Sequence, residues 1–330
     1  MIATAHDLVK ELRARGLVTT EPATAESPPT GGDRPWYIGL LLGTAGWFAG
    51  VFALIFVMLL SRPTAGYNAL AVGIVLLGAA WGIFRADREG AFFSQLALAL
   101  SIAGQFTTIY GIHALFFKGA NSIAGVAAIA LVLQALLVLA MPNRLHRTMS
   151  TLFACTAWAI AVRYILWDEP GRNSQLPPSL GLVLLGFAIA WLPVGAKLYA
   201  LIRTEARWIA SGRQALLRPV TTGLIAGLAV ATLLSYPLDT LSWDMGHRAH
   251  GNWLALWPLL SALSALGALA GAFALGNRGL MGVCVAAALL HASHFYYAMG
   301  TTLMIKSLTM LAMGAALLAA AHFLKRARPR

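Results

Sequence analysis

No acidic residue falls inside the long apolar stretches of this chain. All twelve Asp and Glu lie in the first 35 residues or in the gaps between stretches. Proton- and cation-coupled carriers usually hold a carboxylate at membrane depth, so that class loses support. Charge of either sign is scarce, at 11% of residues, where soluble domains carry about 25%. There are two cysteines, Cys155 and Cys284, both inside apolar stretches. That excludes a disulfide framework and a zinc site built on paired cysteines, and leaves small packing residues. A Walker A loop, a GxSxG elbow, an HExxH helix and a dinucleotide fingerprint are all missing. No pairing of nucleophile with base is visible, so no catalytic residue is named and no cofactor is expected. The net charge is +12, but no aromatic-basic recognition module accompanies it, and nucleic acid is not an expected partner. A short apolar core near Met1 is lacking too. The first apolar run begins at Trp36 behind Asp7, Glu11, Glu21, Glu26 and Asp33, so the first span is expected to remain as an anchor rather than a cleaved signal.

What is present is grease. The composition is 59% hydrophobic and the mean hydropathy is +0.73. Crossing ~30 Å of hydrocarbon takes a helix of about 20 apolar residues. Ten stretches meet that length, over approximately 36–60, 66–84, 91–116, 121–141, 149–167, 178–202, 219–238, 253–275, 279–297 and 301–324. The expected fold is an all-α integral membrane protein with about ten transmembrane helices in one bundle. Residues 1–35 form a cytoplasmic tail, 36–324 the membrane domain and 325–330 a basic cytoplasmic tail. Within the first tail, Ala5 to Arg15 has the spacing of a short amphipathic helix, and Thr19 to Pro35 the composition of a flexible linker. The last two stretches are separated only by Ala298, Met299 and Gly300, so nine spans with a broken helix is the competing count.

Basic residues set the sides. With the N-terminus cytoplasmic, 17 of the 24 Lys and Arg fall on the inner side and 5 on the outer, with Lys197 and Lys306 inside spans. This asymmetry predicts that both ends face the cytoplasm. Trp36, Tyr37, Trp167, Trp243, Trp253, Tyr296 and Tyr297 sit near span ends, as interfacial aromatics do. Glycine pairs four apart recur at Gly39/Gly43, Gly46/Gly50, Gly78/Gly82, Gly223/Gly227 and Gly267/Gly271. Such pairs clear a groove for a neighbouring helix, either within one bundle or at a dimer seam.

The polar residues inside spans are the candidates for function. Ser94, Ser101, Gln105 and Thr108 share a face of the third span, with Gln134 in the next span as a possible partner. The stripe reads either as a solute path or as hydrogen-bonding glue between helices. Lys306 lies about six residues into the last span. It either snorkels to the outer surface or pairs with Asp239 or Asp244 from a loop on that side. His291 and His294 share a face beside Tyr296 and Tyr297. With Asp244, His247 and His250 nearby they have metal-ligand chemistry, although an isolated HxxH is equally a hydrogen-bonding pair.

Two blocks carry a resemblance. Phe93-Ser94-Gln95-Leu96-Ala97-Leu98-Ala99-Leu100-Ser101-Ile102-Ala103-Gly104-Gln105 is one. His294-Phe295-Tyr296-Tyr297 with Thr302-Leu303 and Lys306-Ser307 is the other. Over nearly its whole length the chain resembles an uncharacterised family of bacterial multi-pass membrane proteins, classed as a domain of unknown function. Its members often occur beside membrane proteins named for a GDYXXLXY motif. The resemblance implies a bacterial inner-membrane location, with the lipid bilayer and such a neighbour as partners, and no established activity. It directs attention to Gln95, Gln105, Tyr296, Tyr297, Lys306 and Ser307 without assigning them roles. Three functions remain open: a non-enzymatic component of a membrane assembly, a small-solute transporter resembling ten-span drug/metabolite carriers, and a membrane enzyme acting on lipid or quinone.

Overall fold

The computed structural model describes residues 36–61, 66–86, 91–117, 123–166, 179–235, 256–298 and 302–326. The expected N-terminal helix, the linker, Trp167, Trp243, Trp253, Asp239 and Asp244 lie outside them. In chain order the helices are α1 (Trp36–Ser61), α2 (Gly66–Ala86), α3 (Ala91–Phe116), α4 (Ile123–Ala140), α5 (Arg144–Leu166), α6 (Leu180–Arg203), a short α7 (Glu205–Ala210), α8 (Gln214–Val230), α9 (Leu256–Ala274), α10 (Arg278–Ala298) and α11 (Leu303–Arg326). A 3-10 turn, Ala231–Ser235, extends α8. Among the described residues nine helices are long and apolar enough to cross a membrane. The tenth expected stretch is a separate helix, α11, apolar along its described stretch Leu303–Ala312. The protein is therefore a multi-pass helical membrane protein.

Three helix starts are set by side-chain caps. Asn143 Oδ1 accepts the His146 backbone N–H at 3.0 Å, Ser179 Oγ that of Leu182 at 3.3 Å, and Asn277 Oδ1 that of Leu280 at 3.1 Å. Each satisfies one of the donors a helix leaves open at its first turn. The Asn143 cap corrects the expected start of the fifth span from 149 to Arg144. The seventh span also starts earlier than expected, at Gln214 and not 219. Pro219 sits inside α8 rather than at its beginning.

Two cores hold the bundle. Leu76, Ala80 and Phe84 of α2, Ala97, Leu98 and Leu100 of α3 and Leu137 of α4 form one. The other joins α5, α6, α8, α9 and α10 around Trp191, Ile225, Ala265 and Cys284. α5 links the halves, because it packs on α4 and on α8 alike. In lipid, apolar burial drives little association between helices, so close backbone approach counts for more. The α2–α3 seam shows this. A Cβ on Gly111 would stand 2.9 Å from the Gly66 carbonyl, and one on Gly104 would stand 3.0 Å from that of Gly73. On the α5–α8 seam, a Cβ on Gly223 would stand 2.7 Å from the Thr148 carbonyl. Gly78 and Gly82 meet nothing within 4 Å, so that pair makes no contact inside the bundle.

α11 differs from the rest. It makes no extensive contact with any other described helix. Leu303, Met304, Leu308 and Leu311 are exposed along it.

Candidate functional site

A polar network is buried where α3, α4 and α5 meet. α3 contributes Ser101 and Gln105, one turn apart; α4 contributes Gln134; α5 contributes His146 and Ser150, again one turn apart. All five are buried. Gln134 Nε2 donates to Gln105 Oε1 at 2.8 Å, and Gln105 Nε2 donates to Ser101 Oγ at 3.1 Å. Ser101 Oγ lies 2.6 Å from His146 Nε2, and Ser150 Oγ lies 3.3 Å from His146 Nδ1. These distances give one consistent order of donors. Ser101, already accepting from Gln105, donates its hydroxyl proton to His146 Nε2. The imidazole is then neutral with its proton on Nδ1, which donates to Ser150. The Phe84 ring stands edge-on to the imidazole, centroids 5.7 Å apart.

Chemically, Ser101 and His146 are a hydroxyl and a base in hydrogen-bond contact, the opening half of a nucleophilic device. The surroundings argue for another role. Ser101 is 0% exposed. The neighbouring cavity, about 370 Å³, is bounded by Gln105 and Gln134 together with apolar side chains such as Phe106, Ile109 and Phe153, and Ser101 does not line it. No third group of opposite charge orients the imidazole. A neutral network at membrane depth ties three helices together, each link contributing about 0.6 kcal/mol, with Gln134 Oε1 left buried without a partner.

Proline positions create a second polar arrangement. Pro193 in α6 and Pro219 in α8 lack the N–H that a helix needs at their positions. In hydrocarbon the carbonyls left open must find other donors. α5 supplies one of them: Arg147 Nη1 donates to the Ala215 carbonyl, the one Pro219 leaves open, at 3.1 Å, while Trp158 Nε1 donates at 2.8 Å to the Ala190 carbonyl, next to the Ile189 carbonyl that Pro193 leaves open. At the far end of α8 the carbonyls released by the 3-10 turn are met in the same way. Ser264 Oγ donates to Leu228 at 3.1 Å, His291 Nε2 to Ala229 at 2.7 Å and Trp257 Nε1 to Thr232 at 3.0 Å.

The residues singled out from the sequence are dispersed. Gln105 and Gln134 meet directly. Gln95 Oε1 accepts from Trp47 Nε1 at 3.0 Å, tying α1 to α3. Thr108 is buried against Gly73. His291 grips α8, and His294, half-buried, sits one turn further along α10. Lys306 Nζ lies 5.1 Å over the Tyr296 ring, a cation–π contact that neither sequence reading of this lysine included. Tyr297 packs edge-on to Tyr296 and is 77% exposed. Ser307 Oγ donates to the Leu303 carbonyl of its own helix at 2.9 Å. Among the described residues no three imidazole, thiol or carboxylate groups come together. The sequence reading missed His146, Arg147 and Ser150, because it began the fifth span after the first two. Asn143, an N-cap residue just ahead of them, was the available signal.

Fold and network together define a polytopic helical membrane protein knitted internally by neutral polar groups and side-chain-to-carbonyl bonds. The chain belongs to the family described as a domain of unknown function, DUF4401, whose model matches residues 35–259 and 249–327. No curated protein and no solved structure gives a significant match.

Proposed function

We propose that the protein is a non-enzymatic component of a membrane assembly, with α11 as the helix offered to a partner. The carrying observation is the isolation of α11. Among the described residues α11, a helix of 24 residues, packs little on its own bundle, which leaves that surface available for another chain. The contact found for its Lys306 is with Tyr296, near the end of α10. A membrane protein of the GDYXXLXY type in the bacterial inner membrane is the partner to try first.

Two features weigh against the rival readings. A carrier working through Gln105, Tyr297 and Lys306 needs a water-accessible cavity that the three share. The cavity beside Gln105 includes neither of the other two. For an enzyme, the Ser101–His146 pair is the best nucleophile available, and it has no access to a substrate.

The test places a photo-crosslinking residue at Leu308 or Leu311, both exposed, in cells co-expressing the GDYXXLXY-type neighbour. The expected result is a heteromeric adduct from α11 and none from Phe106 on α3. An absence of adducts from α11, combined with solute uptake by the reconstituted protein, would replace this reading with transport.

A further inference from the structure

A cavity at one end of the bundle is bordered by positive charge. It measures about 750 Å³, and Arg144, Arg218 and Arg278 line it. They come from three different helices. Arg144 opens α5, Arg278 opens α10, and Arg218 lies in the second turn of α8. Thr148, Thr222, Gln214 and Asn277 add hydroxyl and amide groups to the same wall. Among the described residues no carboxylate lines it; Glu205, the one acidic residue described, is not part of it.

Several contributions to the local field therefore have one sign. Three guanidiniums face a common space. The N-termini of helices 23, 17 and 21 residues long open around it, each with a partial positive charge, two of them already capped by Asn143 and Asn277. Two turns of the rim, at Gly212 (φ 69°) and Gly276 (φ 66°), use the left-handed backbone that glycine accepts. They end the preceding helices so that α8 and α10 can begin at the cavity edge. Ile209, Pro219 and Leu275 give the remaining wall an apolar character. Arginines placed only to set topology would need neither a shared cavity nor an apolar wall beside them.

We infer that this cavity binds a phosphate-bearing anion: the guanidiniums pair with phosphate oxygens and the apolar wall takes an adjoining hydrocarbon portion. Arginine suits this task because its planar fork matches two phosphate oxygens at once. The phosphate can come from a phospholipid headgroup or from a soluble phosphate ester.

The inference does not depend on what α11 contacts, and it is tested on the purified full chain in neutral detergent. Native mass spectrometry and thermal unfolding are read with four probes: dioleoyl phosphatidylglycerol, dioleoyl phosphatidylcholine, glycerol 3-phosphate and inorganic phosphate. Arg218→Gln/Arg278→Gln is compared with Arg203→Gln, whose guanidinium is 5.0 Å from the Tyr199 ring and outside the cavity. Tighter binding of phosphatidylglycerol than of phosphatidylcholine, weakened about tenfold in the double variant and unchanged in Arg203→Gln, supports a lipid headgroup. The same pattern with glycerol 3-phosphate or phosphate supports a soluble ester. Arg278→Gln alone, an exposed single substitution, replaces the double variant should that one fail to fold. The inference is overturned if no phosphate probe binds, if phosphatidylcholine binds equally well, or if Arg203→Gln loses as much as the cavity variants.

Discussion

Arg147 donates a hydrogen bond to the Ala215 carbonyl at 3.1 Å, and Ala215 is the residue whose carbonyl Pro219, four positions later, would have served had it carried an N–H. A surface-side cation on one helix thus repairs the backbone of another. The relationship predicts non-additivity. Arg147→Met should lower stability by about 1–3 kcal/mol, the cost of orphaning a carbonyl. In a Pro219→Ala background, which restores the missing donor, the same change should cost far less. A double-mutant cycle in detergent unfolding measures the coupling; equal costs in both backgrounds would sink the relationship.

α6 offers a contrast. Trp158→Phe keeps the ring and removes the side-chain donor to the Ala190 carbonyl. A loss of about 1 kcal/mol is expected, and because the carbonyl that Pro193 leaves open is that of Ile189, Pro193→Ala should leave this loss unchanged. Thermal unfolding of the four combinations checks this.

The α2–α3 seam makes a steric prediction. Gly104→Val and Gly111→Val force side chains into the carbonyls of Gly73 and Gly66. Each should destabilise by at least ~2 kcal/mol or abolish the folded protein, since the obstacles are backbone and cannot swing away. Gly78→Val and Gly82→Val, which face open space, should leave the melting temperature within a degree or two in the isolated protein. Matching losses at all four positions would contradict the packing described.

His146 sits at the centre of the three-helix network. His146→Leu strands Ser101, Ser150 and the Gln105 amide with no hydrophobic gain large enough to offset them, and should cost about 2–3 kcal/mol. His146→Gln, which retains an acceptor and donors, should recover part of this. If Ser101 were a nucleophile, Ser101→Cys would acquire selective reactivity toward lipophilic alkylators. The closed site predicts that it stays unlabelled until the protein is unfolded, as mass spectrometry would register.

How far the sequence alone could reach follows from the length scales involved. Membrane helices are written in runs of ~20 apolar residues, so their order was legible without coordinates, and their number to within one: ten were expected and nine described helices are long and apolar enough to span. The stripe of Ser101, Gln105 and Thr108 was legible through helical periodicity, because those residues share one helix. The Ser101–His146 contact was not, since it depends on how α3 rotates against α5, and His146 fell in a stretch too polar to read as a span. Spacing misled in the seams as well. A search for glycines four apart found Gly223/Gly227, which does lie at a close contact, and Gly78/Gly82, which does not. It passed over the seven-residue spacing of Gly66/Gly73 and Gly104/Gly111 that joins α2 to α3. Whether a helix turns its groove toward protein or toward lipid is a tertiary property.

The threading of the chain underlies every assignment of sides, including that of the arginine-lined cavity. It is tested by single cysteines at Ser211 and Arg330, with Cys155 and Cys284 replaced, probed in intact bacteria by membrane-impermeant maleimide. Both positions should remain unlabelled until the inner membrane is permeabilised, whereas Lys118→Cys should label at once. Labelling of Ser211→Cys or Arg330→Cys in intact cells would reverse the orientation and contradict the account.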